Sequence, residues 1–183
     1  RTSFNPDHSS VETLAPVYFK GSDDTYSDIS SKMTLGLNPF QYGGAGITST
    51  LNDYLKILQF LLKSVKSDGD NSLVSRMFRN QIGNFGISKL KSYNQNMVTD
   101  YDIYPSVEKT WGYGLLLNNQ PIEKRRAEDS GGWAGLLNTY FWVDHRNDLA
   151  GIFLAQVLPC YTPTLLNAFE SFEELSYKFF IRS

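Results

Sequence analysis

One cysteine in 183 residues, Cys160, leaves the chain without an intrachain disulfide or a cysteine-based metal site. Histidine is almost as scarce: His8 and His145 stand far apart, and His145 falls in an obvious hairpin turn, so both are expected at the surface and no metal or other cofactor is expected. An excess of charge of one sign is missing too. With 17 Lys and Arg against 19 Asp and Glu, the formal net charge is -2 and the pI near 5.7, which removes the electrostatic basis for binding nucleic acid. The run Lys124, Arg125, Arg126 is followed by Glu128 and Asp129 and is expected to be a solvated turn. No apolar run reaches the roughly 18 residues that would suggest a membrane span. The start, RTSFNPDHSS, has neither an initiating Met nor the apolar stretch of a signal peptide, so the chain is expected to begin mid-protein, and nothing in it indicates a compartment.

What is present is the composition of a folded domain, 41% hydrophobic and 14% aromatic, at a length suited to a single core. Residues 1–46 are rich in Ser, Asp, Pro and Gly, with isolated anchors such as Phe4, Met33, Leu37 and Phe40, and predict loop; within them VYFKGSDDTYSD forms either a short hairpin around Gly21 to Asp24 or an irregular excursion. After GGAG, Thr50 and Asp53 fit a capping box. Leu51, Tyr54, Leu55, Leu58, Leu61, Leu62 and Val65 recur at helical spacing, with Ser67, Asp68 and Gly69 as the stop. A shorter helix is expected over Leu73 to Asn80, loop from Gly83 to Ser106, and a strand at TWGYGLLLN.

The densest pattern is Glu128 to Val157, EDSGGWAGLLNTYFWVDHRNDLAGIFLAQV. Gly131, Gly132 and Gly135 are expected to free the backbone around Trp133 for dihedrals closed to other residues, either as the rim of a ligand site or as a strand entry with a glycine-relieved bulge. A strand from Leu137 to Asp144, a polar turn from His145 to Asp148 and a strand from Leu149 to Val157 follow as a hairpin. Tyr140 and Trp142 point one way and Phe141 and Val143 the other, which implies a sheet covered on both faces. Thr162 and Pro163 open a final helix whose buried stripe is predicted as Leu165, Ala168, Phe169, Phe172, Leu175 and Phe179. The fold class is α+β, an antiparallel sheet flanked by helices on both faces.

The opening TSF, the segments NPFQYGGAGITSTLNDYLKILQFLL and TWGYGLLL, and the block GGWAGLLNTYFWVDHRNDLAGIFLAQVLP together resemble the C-terminal half of β-lactamase-related serine hydrolases, the family of class C β-lactamases, penicillin-binding proteins and related esterases. The resemblance runs from Thr2 to Pro159 and implies the C-terminal portion of the β-lactamase/transpeptidase-like fold, as one domain over 1–183 that is part of a larger one. It implies three motifs: S-x-x-K with the nucleophilic serine, Y-x-N with a tyrosine that assists proton transfer, and K-T-G or a variant on an edge strand. Trp133, Ala134 and Gly135 match the W-G-G variant of the third motif, and Asn138 falls where relatives often carry Gly.

That match implies a substrate-binding edge at Trp133, Ala134 and Gly135 and an oxyanion donor in the backbone N–H of Leu136, with a small-molecule ester or amide as substrate. Trp133 in place of a Lys favours an acyl group without a required anion. The first two motifs are missing. Ser88 to Lys91 and Ser106 to Lys109 spell S-x-x-K inside the loop-like excursion, not at a helix N-terminus, and Ser92–Tyr93–Asn94 only imitates the second motif. The nucleophile is therefore expected outside this chain. The expected partner is an N-terminal segment of the same fold, or a second copy; the alternative is a non-catalytic relative that serves as a binding or scaffolding module.

Overall fold

The Thr50 hydroxyl accepts the Asp53 amide at 3.2 Å, satisfying a donor that the first turn of a helix leaves free. In the computed structural model, which describes residues 2–6, 12–33, 40–67, 69 and 72–181, this cap opens α1 (Leu51–Ser67), with Leu58 and Leu61 buried. His8, Leu37 and Asp68 lie outside the described residues. The second helix, α2 (Leu73–Met77), is shorter than its pattern predicts. Ser72 caps it by accepting from the Ser75 amide.

The early hairpin forms: β1 (Tyr18–Lys20) pairs antiparallel with β2 (Tyr26–Asp28). TWGYGLLLN is not one strand but a tight hairpin of β3 (Lys109–Trp111) and β4 (Leu116–Asn118). Its turn is closed by the Gly112 amide donating to the Leu115 carbonyl at 2.9 Å. Gly114, at φ 76°, supplies the left-handed residue that breaks the expected continuous strand.

The main sheet continues through β5 (Gly131–Gly135), β6 (Thr139–Asp144) and β7 (Leu149–Leu154), in the order β3-β4-β5-β6-β7 and antiparallel throughout. The strand expected to reach Val157 stops at Leu154. Val157–Leu158 is a separate strand, β8, which leaves the main sheet to pair parallel with β1. The residues between Gly83 and Ser106 hold only isolated bridges, Leu90 to Tyr101 and Val98 to Cys160.

The sheet carries helices on both faces, as its doubly apolar strands require. On one, Leu58, Leu61, Val74 and Phe78 pack with Leu115, Leu117, Val143 and Ile152. On the other, Tyr140 and Trp142 pack with Phe169 and Tyr177 of α3 (Pro163–Phe180). The helix starts where Thr162 and Pro163 predict, but it is rotated from the expected stripe. Phe169, Glu173 and Tyr177 are its buried residues, while Leu175 is 50% and Phe179 72% exposed.

The reason for the rotation is polar. Glu173, completely buried, pairs with Arg126 at 2.6 Å and also accepts from the Tyr104 hydroxyl; Tyr177 donates to Asp144 at 2.9 Å. Arg126 is thus no solvated turn residue, being 4% exposed. Burial opposes its charge, yet Glu173 and Tyr104 beside it raise the guanidinium above its ordinary value. His145 is not a plain surface residue either: it is half-buried, packs edge-on against Phe78 at 5.3 Å, and burial lowers its imidazole.

Candidate functional site

Trp133, Ala134 and Gly135, the expected substrate-binding edge, lie on β5, and the strand is open on one side where they stand. Leu116 and Leu117 of β4 oppose Gly132 and Gly131, and the Asn118 amide donates to the Ser130 carbonyl at 3.2 Å. Residues of a strand turn their N–H and C=O to alternate sides, so Ala134 faces the same way as Ser130 and Gly132. Beyond Gly132, however, β4 has not yet begun, and Trp133, Ala134 and Gly135 pair only with Phe141, Tyr140 and Thr139 of β6. The result is a sheet edge in mid-sheet, with backbone groups free to take an extended ligand.

A three-residue loop, 136–138, follows. The Asn138 amide donates to the Gly135 carbonyl at 3.0 Å and Asn138 sits at φ 57°, the type I turn with a left-handed third residue that such hairpins favour. Asn occupies that region most readily after Gly. Leu136 is 45% exposed, and among the described residues no hydrogen bond engages its amide.

The glycines act differently from the sequence expectation. None of Gly131, Gly132 and Gly135 has a positive φ; they belong to a regular strand. Space is what they supply: a Cβ on Gly135 would stand 2.4 Å from Thr139 Oγ1, and one on Gly132 2.5 Å from the Phe141 carbonyl oxygen.

Asn138 anchors the loop from below. Fully buried, it donates from Nδ2 to the carbonyls of Val157 and Pro159 at 2.7 and 2.9 Å and accepts at Oδ1 from the Tyr140 hydroxyl and the Tyr161 amide at 2.6 and 2.8 Å. Every bond that amide can readily make here is made. Cys160, buried beside it, directs its Sγ to the Gly135 carbonyl at 3.5 Å, and burial pushes the thiol up to about 11. Asn138→Ala is expected to cost about 2–4 kcal/mol in thermal unfolding, from unsatisfied partners and a left-handed Ala. Asn138→Gly should recover only about 1 kcal/mol of that; full recovery would show that the four bonds contribute nothing.

Trp133 and Ala134 point to opposite faces. The Trp133 ring is half-buried and meets Trp111 edge-on at 4.6 Å. Ala134 packs with the Tyr140, Trp142 and Phe169 cluster, over a cavity of about 20 Å³, room for one water, whose lining includes Tyr101, Lys109, Asn118 and Arg126. In the sequence Lys109 is visible only as the end of an S-x-x-K string and Arg126 only as part of a basic run; no local signal marks the Trp111–Trp133 contact or the Arg126–Glu173 pair, whose members are far apart in the chain.

Neither S-x-x-K string forms a dyad site. Ser88 and Ser106 lie in loop and turn, outside any helix. Lys109 is buried, ion-paired with Asp102 at 3.0 Å, and donates to the carbonyls of Tyr104 and Val107 at 3.0 and 2.9 Å, so its amine is already engaged. Among the described residues no cluster of His, Cys, Asp and Glu could hold a metal, and no helix is long and apolar enough to cross a membrane.

No protein-family model matches the chain, and no curated protein matches it in sequence. Solved structures do. Unliganded, selenomethionyl simvastatin synthase (LovD) from Aspergillus terreus superposes with a TM-score of 0.80 at 17% identity, over 100% of this chain and 47% of its own. The LovD6 mutant gives 0.80 at 16% identity with 48% of its length covered, and the LovD9 mutant 0.75 at 19% with 46%. The chain therefore spans about half the length of these structures, and its fold is the C-terminal portion of a LovD/β-lactamase-like fold.

Proposed function

We propose that residues 1–183 are the C-terminal part of a larger β-lactamase-like serine hydrolase domain, acting on an ester or amide through an acyl-enzyme. The open edge of β5 at Trp133, Ala134 and Gly135 carries this reading. A substrate laid along it adds as a short strand, with its carbonyl oxygen beside the free amide of Leu136. A serine from the absent segment would attack the carbonyl carbon, and the resulting oxyanion would be held by the serine's own N–H and that of Leu136. Collapse expels the alcohol or amine, and water then cleaves the acyl–serine ester, releasing the acid and restoring the hydroxyl. Trp133 would form an apolar wall for the acyl group, since an indole cannot hold a substrate carboxylate as a Lys does.

Two surfaces support a missing partner segment. Among the described strands β7 has no neighbour on its outer side, and the outer stripe of α3, with Phe172, Leu175 and Phe179 at 39%, 50% and 72% exposure, is apolar without a described cover. An N-terminal segment of the same domain would pair with the first and pack on the second.

The test is hydrolysis of a p-nitrophenyl ester. The chain alone is expected to be inert and to gain turnover when a polypeptide bearing S-x-x-K is added; turnover by the chain alone would overturn the proposal. The alternative is a non-catalytic binding or scaffolding module, with which the engaged amine of Lys109 agrees as well as with the proposal. That alternative predicts a complemented pair that binds the ester and never cleaves it.

A further inference from the structure

Four aromatic rings form a row beside the open part of β5. Trp111, at the end of β3, meets Trp133 at 4.6 Å with the planes at 83°. Trp133 stands directly opposite Phe141 on β6, and Phe141 packs against Tyr54 of α1 at 5.5 Å. All four are half-buried. They are not sealed in the core as Trp142 is, at 0% exposure, nor scattered over the surface. Tyr54 makes no hydrogen bond through its hydroxyl among the described residues, and burial raises its phenol, so it stays neutral within the row.

Side chains that neighbour one another across paired strands share a face and touch. A ligand strand added to the free edge of β5 is bound by the same rule, so the group it carries opposite Trp133 falls on the face of Trp133, Phe141 and Tyr54; Trp111 belongs by register to the other face, beside Leu116 and Gly132, but its ring reaches Trp133 at the strand end where β4 stops. Resting on the acyl-binding role proposed for β5, we infer that the acyl group accepted here carries an aromatic ring, seated against Trp111 and Trp133, and that Trp111 determines this specificity. Ring pairs prefer edge-on or offset contacts at centroid distances of about 4.5–7 Å and gain from them beyond area burial. A saturated ring of equal size buries as much surface and gains none of this. The site should therefore distinguish the two although cyclohexyl is the more apolar.

The test is a tryptophan-fluorescence titration of the 183-residue chain with methyl phenylacetate and methyl cyclohexylacetate. The phenyl ester is expected to bind about fivefold more tightly. Trp111→Leu should reduce the ratio to about one, Trp111→Tyr, which keeps a ring, should preserve most of it, and Tyr26→Leu on the separate β2-β1-β8 sheet should leave it unchanged. Equal binding, a cyclohexyl preference, no binding of either ester, or a ratio that survives Trp111→Leu overturns the inference. Binding requires no turnover, so an inert complemented enzyme would sink the hydrolase proposal and leave this readout standing. Ring-indifferent binding by an active complemented enzyme would do the reverse.

Discussion

Arg126→Ala is expected to destabilise the chain by about 3–5 kcal/mol, the cost of leaving one member of a buried ion pair without its partner. Glu173 would remain fully buried with its carboxylate uncompensated, and the Tyr104 hydroxyl, which now lies 3.1 Å from Arg126 Nη2, would lose one of its two partners. The damage should spread. The pair holds α3 in the rotation that puts Phe169 and Tyr177 against the sheet, and Arg126 also lies over the Trp142 ring at 5.7 Å. Urea unfolding measures the loss. The double change Arg126→Met with Glu173→Leu should recover most of it, because buried ion pairs stabilise little against well-packed apolar residues of similar volume. A single-variant loss under about 1 kcal/mol, the range of exposed pairs, would mean that Glu173 escapes to water.

Leu136→Pro is expected to lower kcat of the complemented enzyme about 100- to 1000-fold while leaving the unfolding midpoint nearly unchanged. Proline deletes the amide proposed as oxyanion donor and little else. Among the described residues that N–H has no partner, and Leu136 follows Gly135 as the second residue of the turn closed by Asn138, where the fixed φ of proline near −65° is favoured. Leu136→Ala keeps the amide and should keep kcat. If the proline variant turned over at the native rate, Leu136 would be removed from the oxyanion role; if it lost stability as well, the turn rather than the donor would account for the effect.

Local patterns carried much of the architecture into the sequence. The α1 cap and stripe, the β6–β7 turn at His145 to Asp148, the left-handed tolerance at Asn138 and the two-sided burial of β6 all depend on residues within a few positions of one another, where helical and strand periods and turn chemistry act directly. The two-strand hairpin at Lys109 to Asn118 is the counterexample at short range. TWGYGLLLN has the composition of one strand, and the chain reverses because Gly114 takes a positive φ that a glycine permits but does not compel.

Errors of face had a different origin. The buried stripe expected for α3 includes Leu175 and Phe179, which are apolar, and does not include Glu173 and Tyr177, whose polar groups by themselves prefer water. Both assignments reverse once Arg126 and Asp144, distant in sequence, supply partners that make the polar groups tolerable indoors. Likewise, Val157 leaves the strand that its β-branched side chain would extend, because β1 offers Val157 and Leu158 a parallel partner.

By itself the sequence determined the α+β class and the main elements, since these depend on short-range periodicity and turn chemistry, while a substrate-binding motif at Trp133, Ala134 and Gly135 is what the family resemblance implies. Only the tertiary structure decided that β4 stops short of Ala134 and leaves that edge open, that Trp111 comes to lie against Trp133, and that a buried Arg126–Glu173 pair sets the rotation of α3. Those outcomes depend on which distant segments meet. A side chain's preference for water or core is settled by the partner it finds there, and that partner is absent from its own stretch of sequence.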